Sequence, residues 1–303
     1  MAVVLALLAA AANALATVLQ RIGVEEAGAE GRQNLMASVM RRPIWFAGLS
    51  LTSASFLLQA VALSVGDLSS VQPVMVTELL FLLLILVLWF RQPLGWREWA
   101  GAAGTATGLS AFLALSAATP GHERPGHGDW VLLLAASLGA VVAAALAARR
   151  GPRSWRAAAY GVAGGIMFAL TAAFIKTVAE MWPRGLATVA THWQTYGVAV
   201  SGLIGLVLSQ HALEAGPVAA SQSALLVMNP IASIVMGVFL FGDHLHAAGG
   251  RLGFELAALV VMFGFLLLLS GSPLIAASTE EQQLSAGRNA IDPASARPES
   301  ATQ

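Results

Sequence analysis

The sequence predicts an all-α polytopic membrane protein of about nine transmembrane helices, built as an inverted repeat of helices 1–4 and 6–9. Three observations predict it. Of 303 residues, 57% are hydrophobic and 11% charged, with a mean hydropathy of +0.74. An ordinary soluble domain carries roughly 25% charged residues, so this chain cannot cover a water-soluble globule of its size. The apolar residues fall in continuous runs rather than alternating, which selects helices over barrel strands. Finally, two sets of runs match each other in order.

A helix crosses about 30 Å of hydrocarbon with roughly 20 mainly apolar residues. Nine stretches meet this, near 2–21, 43–63, 69–90, 97–117, 130–148, 157–178, 192–213, 217–240 and 250–271. The first is expected to remain as a span rather than be cleaved as a signal: Ala12-Asn13-Ala14 resembles a cleavage site, but no basic residue precedes the run and Arg21 follows it. A short interfacial helix is expected around Gln33–Arg41, before the second span. All eight tryptophans (Trp45, Trp89, Trp96, Trp99, Trp130, Trp155, Trp182 and Trp193) lie at or near span ends. There an indole keeps its ring apolar and its N–H wet. The tail 272–303, with Glu280-Glu281-Gln282-Gln283, is too polar to bury a core and is expected to be disordered and cytoplasmic.

Basic residues set the orientation. With the N-terminus outside, the cytoplasmic side holds twelve arginines: Arg21, Arg32, Arg41, Arg42, Arg91, Arg97, Arg149, Arg150, Arg153, Arg156, Arg288 and Arg297. The outside holds four basic residues, Arg124, Lys176, Arg184 and Arg251. The expected placement is a multi-pass protein of the bacterial plasma membrane, N-terminus out and C-terminus in.

Spans two and three resemble spans seven and eight. Ala62-Leu63-Ser64-Val65-Gly66-Asp67-Leu68 aligns with Ala212-Leu213-Glu214-Ala215-Gly216-Pro217-Val218 at an offset of 150, which also pairs Gln72 with Gln222. Ala14-Leu15-Ala16 … Gln20-Arg21 aligns with Ala169-Leu170-Thr171 … Ile175-Lys176 at an offset of 155. Repeat one is 1–117, a linking helix spans 130–148, and repeat two is 157–271, all within one transmembrane domain, 1–271. A displacement of five helices is odd, so the copies lie upside down relative to each other. Inverted repeats are a transporter architecture, with the site near the membrane midplane.

The segment Phe56-Leu57-Leu58-Gln59-Ala60-Val61-Ala62-Leu63 … Gly66-Asp67-Leu68-Ser69-Ser70-Val71-Gln72-Pro73 resembles the drug/metabolite transporter superfamily (EamA-like), especially its short actinobacterial members and the NIPA-like magnesium transporters. Phe239-Leu240-Phe241-Gly242-Asp243 resembles that superfamily's helix-ending Gly-acidic pair, with Asp for Glu. Spans five and six, through Arg149-Arg150-Gly151 to Phe174-Ile175-Lys176, are NIPA-like. The resemblance implies secondary transport of a small solute or cation, and magnesium in the NIPA-type alternative. Readings of another class are a membrane-embedded lipid enzyme and a non-transporting scaffold or sensor. The enzyme would need a catalytic set at one interface; the scaffold needs neither a repeat nor a midplane acid.

Glu78 is the sharpest signal. It lies roughly 13 Å inside span three at 1.5 Å per residue, near the midplane. A charge there costs at least ~2.5 kcal/mol, so the acid needs a cavity, a partner or a proton. It is either a coupling site or a hydrogen-bonded structural acid. Asn229-Pro230 falls midway along span eight, where proline removes an N–H and frees the Leu226 carbonyl; it is either the break beside a central site or a structural kink. Gln72 and Gln222 orient a polar substrate or cross-link helices, and Asn13, Gln20 and Gln59 share that ambiguity. Lys176, the sole lysine, and Arg21 lie at span ends, where snorkelling is expected. His122, His127, His192, His244 and His246 fall outside; Asp243, His244 and His246 are a compact but weak metal candidate without recognised spacing. Gly101, Gly104, Gly108, Gly161 and Gly165 serve close helix packing.

No enzymatic constellation is found. Zero cysteines exclude disulfides, thiolate metal sites and cysteine nucleophiles. Net charge zero, from 16 basic and 16 acidic residues, leaves no footprint for nucleic acid. Gly161-x-x-Gly164-Gly165 lies inside an apolar run and cradles no phosphate. No cofactor is expected; the expected partners are a small-molecule or cation substrate, the lipid bilayer and a second copy of the chain. The orientation has a direct test. An introduced Ser285→Cys should resist an impermeant thiol reagent added outside intact cells and react once the membrane is opened; labelling from outside overturns the C-in assignment.

Overall fold

The computed structural model describes residues 1–29, 42–91, 95–115, 125–243 and 251–270. The expected interfacial helix at 33–41 and the tail at 272–303 lie outside the described residues. Among the described residues, eleven α-helices run in chain order: α1 (Ala2–Ala29), α2 (Pro43–Val65), α3 (Leu68–Met75), α4 (Glu78–Leu88), α5 (Trp96–Leu115), α6 (His127–Ala147), α7 (Arg153–Met181), α8 (Leu186–Thr191), α9 (Trp193–Ala215), α10 (Val218–Phe241) and α11 (Arg251–Ser270). No strand occurs among the described residues.

Seven helices or helix pairs there are long and apolar enough to cross a membrane: Ala2–Gln20, Pro43–Val65, Leu68–Leu88, His127–Ala147, Arg153–Arg184, Trp193–Ala215 and Ala220–Phe241. Large apolar side chains such as Leu57, Leu132, Leu203, Phe239 and Val260 point outward from these helices and from α11. This is the architecture of a membrane-embedded helical protein. The fourth and ninth sequence spans form helices but fall short of that measure. α5 opens with Arg97 and Glu98 and continues largely in Gly, Ala and Thr, while the apolar part of α11 is only Gly253–Leu269.

α7 is the most buried of the seven, with its small residues Ala163, Gly164, Gly165, Ala169, Ala172 and Ala173 inside the bundle. Its glycines meet α10: a Cβ at Gly165 would stand 3.0 Å from the Leu225 carbonyl and 2.9 Å from the Met228 Cβ, and one at Gly161 would overlap the Ser221 carbonyl. α9 closes on the other side, where Gly197 and Gly205 accept the rings of Phe174 and Phe168. α1 packs on α2 through an alanine face (Ala6, Ala9, Ala10, Ala14), pinned where Ser55 Oγ donates to the Ala9 carbonyl (2.7 Å) and Gln20 Nε2 to Thr52 Oγ1 (2.8 Å).

α5 and α11 pair along a glycine seam. Gly101 faces Leu269, Gly104 takes the Phe265 ring, and Gly108 lies against the Met262 backbone. Lipid tails give two apolar helices little reason to associate, so close backbone approach and dispersion must hold such a pair. The seam yields a contrast between two glycines. A Cβ at Gly108 would come within 2.6 Å of Met262 N, whereas one at Gly264 meets nothing within 4 Å. Gly108→Ala should therefore cost about 1–3 kcal/mol through overpacking. Gly264→Ala should leave the protein as stable or slightly more so. Thermal unfolding in detergent, read for both variants against the parent, checks this.

Candidate functional site

Span three is interrupted at the residue before Glu78. Pro73 lies inside α3. After it the hydrogen bonds tighten: the Val76 N–H donates to Pro73 O (3.2 Å) and the Thr77 N–H to Val74 O (3.0 Å). The Thr77 hydroxyl also donates to Val74 O at 2.7 Å, competing with the backbone for that carbonyl. Regular bonding resumes with Phe81 N–H to Thr77 O (3.0 Å). Such a short 3₁₀ stretch inside a membrane span is a natural hinge. Glu78 is the first residue of α4, where unpaired N–H groups and the helix dipole favour a carboxylate. The half-buried Glu78 side chain lies beside the Asn13 side chain of α1. The structure thus joins two of the residues singled out in the sequence.

Span eight behaves otherwise. A break at Asn229-Pro230 is not what forms: α10 runs as helix from Val218 to Phe241 with Pro230 inside it. The loss of a single N–H is absorbed where α7 packs closely, Gly165 lying against Leu225 and Asn229. The interruption belongs to span three, where proline is followed by Thr77 with its competing hydroxyl.

α3 packs on α10, and Gly237 sits against Ser69. Counting back from that contact, Asn229 is eight residues along α10 and Glu78 nine along span three, so both lie ~12–13 Å from it. On α3 and α10, three buried polar atoms have no hydrogen-bond partner: Gln72 Nε2, Ser233 Oγ and Asn229 Oδ1. Gln72 is buried, Gln222 and Gln59 are half-buried, and Pro230 is buried.

At the other end of this interface is a charged cluster. Gly242 adopts the left-handed conformation (φ 63°) and turns the chain after α10, so that Asp243 faces the start of α3. Asp243 Oδ2 accepts from the Ser69 N–H (3.1 Å) and the Ser69 hydroxyl (2.6 Å). Lys176, 2% exposed, donates to the Gly66 carbonyl at 2.7 Å. It also lies 3.7 Å from Glu180 and 5.1 Å from the Phe241 ring centroid. Expected snorkelling is thus corrected. The ammonium ends in a protein cage because the carbonyl of the buried Gly66, in the α2–α3 turn, lies within its reach. The side chain of Arg21 lies outside the described residues.

The metal candidate at Asp243 takes a different form: the carboxylate is a hydrogen-bond acceptor for α3, and His244 and His246 lie outside the described residues. No group of three His, Cys, Asp or Glu residues assembles a metal-binding set among the described ones. Trp130 also departs from expectation. It is 3% exposed, stacked on Phe174 (4.9 Å, interplanar 5°) and edge-on to Trp193 (5.4 Å). Three helices bring these rings together. Glu255 went unnoticed in the sequence; on α11 it is 1% exposed with neither carboxylate oxygen hydrogen bonded. The signal was an acid two residues inside the apolar run Gly253–Leu269.

Comparison with known proteins finds a relative in Corynebacterium glutamicum, described as an uncharacterized protein, 25% identical over 251 residues and covering 82% of this chain and 86% of the relative. No family model matches the chain, and no solved structure matches it.

Asp67, in the turn between α2 and α3, is buried, and burial above all pushes its carboxyl above the usual aspartate range. A hydrogen bond with Ser70 and one with its own backbone pull it down, the Asp243 carboxylate pushes it up, and Lys176 pulls it down. An acid raised in the folded state contributes its full stability below its unfolded value and loses it as pH rises through the folded one. Asp67→Asn should therefore gain on the parent as pH rises. The melting-temperature difference, variant minus parent, should be larger at about pH 7.5 than at about pH 4.5. An unchanged difference removes the buried-acid account.

Proposed function

We propose that the chain is a secondary transporter that moves a small solute or cation across the plasma membrane by alternating access. It is not an enzyme. The observation that carries this reading is the hinge in span three: a membrane helix interrupted immediately before an acid that lies beside an amide from α1. Discontinuous helices whose inner ends present charge and helix dipole near the midplane are how many transporters build ion and substrate sites. A structural scaffold has no need of an interrupted span with a carboxylate at the interruption. The helix pairing supports the inverted repeat. α1 packs on α2 as α7 does on α9, α1 packs on α3 and α4 as α7 does on α10, and α5 pairs with α11. In this reading α5 and α11 are the fourth and ninth spans of an N-out, nine-helix array, α3 and α4 are two parts of the third, and Gln72 and Gln222 are equivalent.

Glu78 is the coupling residue in this proposal, with Asn13 holding it and Asn229, Gln72 and Gln222 flanking the solute. Glu78→Gln keeps the side chain's shape and its hydrogen-bonding capacity while removing titration. In proteoliposomes it should abolish accumulation driven by a pH gradient and leave counterflow exchange largely intact. Loss of exchange as well would make Glu78 a direct ligand of a cation cargo. Parent-like transport under every gradient overturns the coupling role and leaves Glu78 a structural hydrogen-bonding acid.

A further inference from the structure

The charged cluster at the start of α3 sits apart from the hinge and has its own logic. The two-residue turn Gly66–Asp67 joins the C-terminus of α2 to the N-terminus of α3. Gly66 O is at the negative end of α2, and the Ser69 N–H is among the unpaired donors at the positive end of α3. Lys176 from α7 supplies a cation to the first, and Asp243 after α10 supplies an anion to the second. Each charge meets the pole that favours it. Both come from far along the chain, 110 residues from Gly66 and 174 from Ser69. Both are buried, and Gly237 has no side chain where one would overlap the Asp243 carboxylate and press on Ser69.

We propose that this clamp is a gate: Lys176 and Asp243 hold the α2–α3 turn shut over the α3–α10 interface, and release of the turn opens a path from this end of the bundle to the unpartnered Gln72, Ser233 and Asn229. The gate rests on the transporter reading for its purpose but not for its test. Three charge-assisted hydrogen bonds, one on Gly66 and two on Ser69 just beyond the turn, restrain it far more than neutral contacts do. The hinge at Val76–Thr77 lies at the opposite end of α3, so α3 can swing as one piece when the clamp lets go. Asp67 in the same turn faces Asp243 and Lys176, so the turn carries an acid of its own into the clamp.

The parent chain has no cysteine, so one introduced thiol reports alone. Ser233 is fully buried, one helical turn deeper than Gly237, and Ser233→Cys is a near-isosteric reporter beneath the gate. Ser64→Cys, whose hydroxyl is exposed beside the turn, reports solvent outside it. Purified protein in lipid nanodiscs is treated with a charged methanethiosulfonate, and the ratio of the two labelling rates is measured.

In the parent background the Ser233→Cys site should label slowly. Ser69→Ala combined with Lys176→Met should raise its relative rate about tenfold or more, the scale expected for losing charge-assisted bonds. Gly237→Ala, which wedges a methyl group into the clamp and leaves its charges in place, should raise it as well. Unchanged burial of the reporter in both variants, each eluting as a monodisperse species, overturns the gate. So does equally fast labelling in the parent. Neither outcome depends on identifying a solute, so a working gate with no transported substrate would refute the transporter reading alone.

Discussion

Inside a bilayer a backbone amide has no water to turn to, and the rest of this structure follows from that constraint. Each unsatisfied group costs several kcal/mol, so the chain runs as helix wherever it meets hydrocarbon. Every departure from helix must find a protein partner. At Thr77 the partner is the residue's own turn, with the hydroxyl and backbone both drawn to Val74 O. At Gly66 it is a lysine ammonium, and at Ser69 an aspartate. After α10 the partner is again internal, with the Asp243 N–H returning to Gly237 O at 3.1 Å. These irregular points lie beside Glu78, Lys176 and Asp243.

What brings the helices together is different from what makes them helices. Small residues let backbones approach along α7–α10 and α5–α11, and polar side chains lock single points between α1 and α2. The aromatic group of Trp130, Phe174 and Trp193 fills the space where α6, α7 and α9 converge. Against this well-packed background, the unpaired atoms of Gln72, Ser233 and Asn229 stand out. Unmet hydrogen-bonding capacity is costly in such surroundings, and the three atoms lie on α3 and α10, the helices joined by the clamp.

The helices were legible in the sequence because continuous apolar runs admit little else in lipid. Glu78 was singled out by its depth alone, and it stands half-buried at the start of α4. The location of the hinge was not. Pro230 carries the louder signal, yet Gly165 packs closely enough to keep α10 helical, while the quieter combination of Pro73 with Thr77 interrupts span three. Lys176 was misjudged because its fate depends on a carbonyl 110 residues away. Trp130 misled in the same way: its position near a helix end suggests an interface, but the rings of two other helices cover it. Short-range pattern predicts elements; the chemistry at their ends depends on neighbours brought in by packing.

The eight residues of α3 also have a mechanical meaning. At 1.5 Å per residue they make a rod ~12 Å long. One end is fixed at the 3₁₀ turn, and the other carries Asp67 and the clamp. A rod of that length turned by about 10° at its pivot moves its far end by about 2 Å, enough to carry a hydrogen bond of ordinary length beyond its useful range. In the proposed gate the segment is a lever: small angular play beside Glu78 becomes a complete loss of contact at Ser69. In the reverse direction, a change in the charges gripping the far end exerts its torque on the residue next to the acid.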